Sequence, residues 1–123
     1  MPHTVQHGQP SAEMQQCIDE CLSCHSICTT TVSYCLQQGG KHADAEHVTL
    51  LLDCAQICGT SADYMLRGSH LHPQTCATCA EVCRACAESC ERMGDDSVMR
   101  RCAETCRQCA ESCGRMAHAG AHH

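Results

Sequence analysis

Cysteine recurs in this chain in steps of three, four or seven residues, and that spacing limits the fold more than any other feature. The thiols stand at Cys17, Cys21, Cys24, Cys28 and Cys35; at Cys54 and Cys58; at Cys76, Cys79, Cys83, Cys86 and Cys90; and at Cys102, Cys106, Cys109 and Cys113. Such steps return a side chain to one face of an α-helix. At about 100° per residue, the first five fall within a sector of roughly 60°. Disulfide-rich secreted domains scatter their cysteines through loops, so the regularity speaks against that class.

The stripes also repeat. Residues 79–94, CAEVCRACAESCERMG, match residues 102–117, CAETCRQCAESCGRMA, at 12 of 16 positions. Their shared skeleton, Cys-x3-Cys-x2-Cys-x3-Cys, recurs at Cys17, Cys21, Cys24 and Cys28. A worn copy follows at Cys54, Cys58, Ser61 and Met65. Four copies of one amphipathic unit predict four helices.

Chain punctuation predicts helices over about 12–38, 44–67, 73–93 and 96–116 within a single domain spanning 1–123. Pro10-Ser11 offers a cap for the first, and Gly39-Gly40 closes it. Gly68 stops the second, Pro73 suits the first turn of the third, and Gly94 ends it. Asp95, Asp96 and Ser97 supply caps for the fourth. Connections this short force neighbours antiparallel, so the expected fold is all-α, an up-down-up-down four-helix bundle with a cysteine-lined core. Residues 1–10 and 118–123 read as flexible polar tails, with His3, His118, His122 and His123 as solvated side chains.

Composition makes the thiols indispensable. Leu, Ile and Val total 15 of 123 residues and Phe and Trp are absent, a large-apolar content ordinarily read as disorder. Yet the net charge is only −6, too little to drive a chain apart. Acidic balance and two tyrosines as the only aromatics exclude a nucleic-acid binder, which needs basic patches and stacking platforms. No run approaches the roughly 20 apolar residues of a membrane span. The start, MPHTVQHGQPSAE, lacks the basic and apolar regions of a secretory signal, so a cytoplasmic location is expected. Thiols there stay reduced and serve as metal ligands more readily than as disulfides.

The chemistry of the stripes favours Cu(I). Four zinc sites of four thiolates each would bury two net negative charges apiece in a narrow bundle. Cu(I) is soft, prefers thiolate and accepts two or three ligands. With each thiolate bridging two ions, copper and sulfur approach one to one and the core becomes nearly neutral. Pairs such as Cys17/Cys21 and Cys86/Cys90 have β-carbons about 5–6 Å apart, and the steps of three chain them along the axis. A Zn/Cd thiolate buffer is the alternative within this class.

Other thiol chemistries fit less well. Cys21-Leu22-Ser23-Cys24-His25 matches the attachment motif of a c-type haem electron carrier, but Cys21 and Cys24 belong to a stripe running on through Cys17 and Cys28. His25 lies about 80° off that stripe and is read as a helix–helix contact near Ile18, Val32 and Leu36. Iron–sulfur ligation wraps a loop around its cluster and ends in Cys-Pro; no cysteine here precedes proline. Thioredoxin-like exchange needs a sheet, and no strand pattern is visible. Cys76 and Cys79 fall in a first helical turn, where their thiol pKa values are expected to drop.

On the CIDECLSCHSIC, CAEVCRACAESC and CAETCRQCAESC segments the chain closely resembles the cytosolic branch of the bacterial copper storage proteins over about residues 12–117. The resemblance implies a bundle with no catalytic residues, in which all 16 cysteines point inward and hold many Cu(I) ions. It also implies a homotetramer, for which Ile18, Leu22, Val32 and Leu36 form a second apolar flank. Helix 2 departs from the pattern at Ser61 and Met65. Softer donors gather at one bundle end (Met14, Met65, Met116, His70, His72 and His118), against mainly Met93, Met99 and His42 at the other. Two readings of the first end stand side by side: methionines filling gaps at a fraying end beside solvated histidines, or a ring of weak donors that captures copper and passes it inward.

Overall fold

The computed structural model describes residues 10–120 and contains four α-helices: α1 (Ala12–Gln38), α2 (Ala45–Leu66), α3 (His72–Glu91) and α4 (Ser97–Gly120). A short 3-10 turn, Gly40–Ala43, links α1 to α2. Residues 1–9 and 121–123, with His3, His122 and His123, lie outside the described residues.

Local chemistry accounts for most helix ends. Ser11 Oγ accepts the Met14 amide at 3.1 Å and caps α1. Gly39 ends that helix with φ 73, a left-handed conformation in which glycine meets no Cβ penalty. Pro73 occupies the first turn of α3, where no intrahelical donor is lost. Asp96 Oδ1 accepts the Val98 and Met99 amides at 3.0 and 3.2 Å, capping α4. That helix continues past Met116 to Gly120, because no glycine or proline stands between Met116 and Gly120. Residues 118–120, read as tail, are its final turn.

Each helix packs on the next, and α4 returns to α1, closing a four-cornered bundle. The thiols report its antiparallel register. Cys17 meets Cys113 while Cys28 meets Cys102 across α1 and α4. Cys54 meets Cys83 while Met65 meets Cys76 across α2 and α3. Within this frame all 16 cysteines are buried, none more than 1% exposed. Alanines, Leu51, Met65, Met99 and Met116 fill the rest of the core.

The flank of α1 divides. Ile18 belongs to the core, whereas Leu22 and Leu36 stand 44% and 56% exposed. His25 packs between α1 and α2: its Nδ1 lies 2.7 Å from the Ala55 carbonyl oxygen. The ring lies over Gly59, where an added Cβ would stand 3.4 Å from Nδ1, an ordinary contact distance.

Candidate metal centre

The inward stripes bring the sulfurs into one column along the bundle axis. Its backbone is a set of thiol groups whose members all lie within 4.8 Å of one another. Cys17, Cys76 and Cys113 form the first, and Cys21, Cys79, Cys109 and Cys113 the second. Cys24, Cys58, Cys83 and Cys109 form the third, and Cys24, Cys28, Cys54 and Cys106 the fourth. Successive groups share a member: Cys113, then Cys109, then Cys24. The column is therefore a continuous ladder rather than a row of separate sites.

Direct sulfur–sulfur approaches set its rungs. Cys21 lies 3.4 Å from Cys113, Cys58 lies 3.5 Å from Cys83, and Cys24 lies 3.6 Å from Cys54. Cys28 extends the ladder to Cys102 at 3.9 Å. Cys35, Cys86, Cys90 and Cys102 stand outside the four groups, toward the end where α1 finishes and α4 begins.

Thiols this close tune one another. Hydrogen bonds from Cys106, Cys109 and Cys28 hold the Cys24 thiol far below its ordinary value. Burial, joined by the charges of Cys102, Asp96 and Cys86, pushes Cys35 up to about 11. Cys76 runs against expectation. The Cys113 thiol draws it down, but Cys17 and burial raise it to about 12. Its place in the first turn of α3 is outweighed by neighbours from α1. Cys79 does fall, through hydrogen bonds led by that from Cys109.

Helix α2 supplies the exceptions. Ser61 takes the place of a cysteine in the stripe, and its fully buried Oγ has no hydrogen-bond partner among the described residues. Met65 offers its Sδ to the Cys76 thiol at 3.8 Å. Met65 and Met116 are both buried at that end, 1% and 5% exposed. His72 turns its Nδ1 to the Ser69 carbonyl oxygen at 2.9 Å.

The opposite end holds a donor that is not a cysteine. His47 is 2% exposed, with Nε2 3.4 Å from Cys35 Sγ and Nδ1 2.7 Å from Ser89 Oγ. Met99 Sδ receives the Cys35 thiol at 3.6 Å. The signal was available. His47 stands seven residues before Cys54, on the same helical face, and Met99 stands three before Cys102. Above them Asp96 Oδ2 accepts the Tyr34 hydroxyl at 2.8 Å and lies 2.9 Å from His42 Nε2, tying the 3-10 turn to the start of α4.

The Cys21 and Cys24 thiols of the haem-like motif both point into this ladder, and the His25 ring is engaged with Ala55. The buried thiols present no surface to a macrocycle. Among the described residues no helix is long and apolar enough to cross a membrane.

Comparison with known proteins agrees with this geometry. No curated protein matches the chain. The crystal structure of the Nmul_A1745 protein from Nitrosospira multiformis is 46% identical, over 87% of this chain and 96% of that one, with a TM-score of 0.82. The apo form of copper storage protein 3 from Bacillus subtilis is 32% identical, over 82% and 95%, with a TM-score of 0.73. A cytosolic copper storage protein from Streptomyces lividans, carrying five coppers, is 32% identical over 86% and 92%, with a TM-score of 0.78. The family model described as copper storage protein matches residues 10–118. With its ladder of buried thiols and this match over nearly its whole length, the chain belongs to the copper storage protein family.

Proposed function

We propose that the protein stores and buffers Cu(I) in the cytoplasm, holding many ions on the inward thiolates of its 16 cysteines without catalytic turnover. The observation that carries this reading is the sharing of Cys113, Cys109 and Cys24 between successive thiol groups. A thiolate that serves two groups is a bridging ligand. Cu(I) takes bridging thiolates readily, whereas a structural zinc site closes on four ligands of its own.

Charge supports the same metal. Thiols whose protons the core holds more tightly, Cys35 and Cys76 among them, enter the apo state as neutral S–H groups. Replacing one proton by one Cu⁺ leaves the column neutral, so filling proceeds without accumulating buried charge. A Zn²⁺ or Cd²⁺ ion closed by four thiolates leaves a net double negative charge at each site. Loading should therefore release about one proton for each ion bound at a protonated thiol.

The location rests on the Streptomyces lividans relative, whose name describes it as cytosolic. Assembly as a homotetramer is supported by Leu22 and Leu36, exposed on one face of α1.

Anaerobic titration of the reduced protein with Cu(I), against a competing chelator, tests the proposal. Uptake of roughly one ion per thiol is expected from bridging coordination. Saturation near four ions, with zinc able to displace them, would instead identify a zinc or cadmium buffer.

A further inference from the structure

We propose that the metal-free ladder also traps trivalent arsenic, taking up neutral arsenous acid, As(OH)₃, as four buried trithiolates. This second cargo depends on the geometry of the thiols and not on the copper reading.

The shared thiols divide cleanly when each serves one centre only. Trivalent arsenic is soft, bonds to three thiolates, keeps a lone pair in the fourth position and needs no bridging sulfur. With Cys113 assigned to the first group, that group stands complete as Cys17, Cys76 and Cys113. The second then keeps Cys21, Cys79 and Cys109, and the third Cys24, Cys58 and Cys83. The fourth keeps Cys28, Cys54 and Cys106. The twelve thiols of the ladder fall into four trios with none left over, and the sulfurs of each trio lie within 4.8 Å of one another. Every trio draws its thiols from three different helices.

Spacing within the trios suits a pyramidal centre. Thiolate bonds of about 2.3 Å, set slightly wider than a right angle, hold their sulfurs about 3.4 Å apart. One pair in each trio already stands near that distance. Cys17 and Cys113 are 3.6 Å apart, Cys21 and Cys109 3.6 Å, Cys58 and Cys83 3.5 Å, and Cys28 and Cys106 3.7 Å. Helix α2 gives no thiol to the first two groups, because Ser61 and Met65 stand where the repeat would place cysteine. Met65 Sδ lies 3.8 Å from the Cys76 thiol. A thioether has no proton to give up, so it forms no bond to arsenic and leaves that corner to the lone pair.

The exchange balances without a redox partner. As(OH)₃ and three cysteine S–H groups give As(S–Cys)₃ and three waters. Three As–O and three S–H bonds break, three As–S and three O–H bonds form, and arsenic stays trivalent. Where a sulfur is already a thiolate, solvent supplies the proton that leaves with hydroxide. Reagent and product are both uncharged, so neither entry nor burial carries the desolvation cost of an ion. Folding has already brought the three thiols together, which removes the ordering cost that separate thiols would meet.

The test equilibrates reduced, metal-free protein anaerobically with four equivalents of sodium arsenite. Native mass spectrometry should find four arsenic atoms per chain, each adding the mass of arsenic less three hydrogens. Arsenic X-ray absorption should show three sulfur neighbours and no oxygen. Cys113→Ser leaves two thiols in the first trio and should take up three arsenic atoms, with far-UV circular dichroism confirming its helicity. Protein already loaded with Cu(I) should take up none. Fewer than four atoms on the parent, oxygen left in the arsenic shell, or undiminished uptake by copper-loaded protein would overturn this cargo. A parent that still loads Cu(I) in a parallel titration would then keep the storage reading intact. Four trithiolates in a protein that takes up no Cu(I) would overturn storage and support the trap.

Discussion

Cys21 Sγ and Cys113 Sγ lie 3.4 Å apart although 92 residues separate them in sequence. The contact joins α1 to α4, the first helix to the last, and places Cys113 where two thiol groups meet. Bundle closure and assembly of the metal centre are thus one event.

That coupling predicts unequal roles for the thiols. Cys113→Ser or Cys109→Ser removes a bridging sulfur from two groups at once, whereas Cys17→Ser removes it from one. The first two variants should lose about two Cu(I) ions each and the third about one, because Cu(I) clusters depend on shared thiolates. Anaerobic titration of the three variants measures the difference, and equal losses would refute the ladder.

The metal-free protein should already be helical. Protonated thiols pack as small hydrophobes, and Ser11 and Asp96 cap two of the helices without help from a metal. Far-UV circular dichroism of the reduced apo protein should show a helical spectrum. A coil spectrum that turns helical on adding Cu(I) would place folding after binding, as in zinc fingers.

Alkaline pH should weaken the apo fold and spare the loaded one. Cys35 and Cys76 hold their protons in the fold up to about 11 and about 12, against 9.0 when unfolded. A pKa raised by folding contributes stability that is complete below the unfolded value and is lost as pH climbs through the folded one. Thermal unfolding of reduced apo protein should therefore move to lower temperature between pH 9 and pH 11. Copper-loaded protein, its thiolates already metal-bound, should show little change over that window.

Ser61 offers a two-way test. Its buried hydroxyl has no partner among the described residues, and an unsatisfied buried hydroxyl costs about 1–3 kcal/mol. Ser61→Ala should raise apo stability by about 1 kcal/mol, as read by denaturant unfolding. Ser61→Cys restores the repeat in α2 and should add about one Cu(I) to the titrated capacity.

The helices and their inward face were legible because one residue type marked a single period in all four. Cysteine labels the stripe more sharply than a mixture of Leu, Ala and Met would. The same clarity concealed His47, which continues the α2 stripe seven residues ahead of Cys54 but bears a different side chain. The pKa of Cys76 departs from its place in the helix for a related reason. Its own helix predicts a fall, and the rise comes from Cys17 on another helix and from burial. Which thiols share a group depends on the register between helices, set by how Ala, Leu51 and the methionines pack. No spacing within one helix encodes that register.

The near-complete burial of the sulfur column also bears on ions that the protein never stores. An ion reaching the ladder must surrender its water shell, for the interior has no space to admit it hydrated. Mg²⁺ dehydrates reluctantly and seeks oxygen ligands, and the ladder repays that loss with sulfur alone. Cu(I) exchanges its solvent for thiolates that bind it far more strongly. Hard cations are thus refused by the energetics of dehydration, and abundance gives them no advantage.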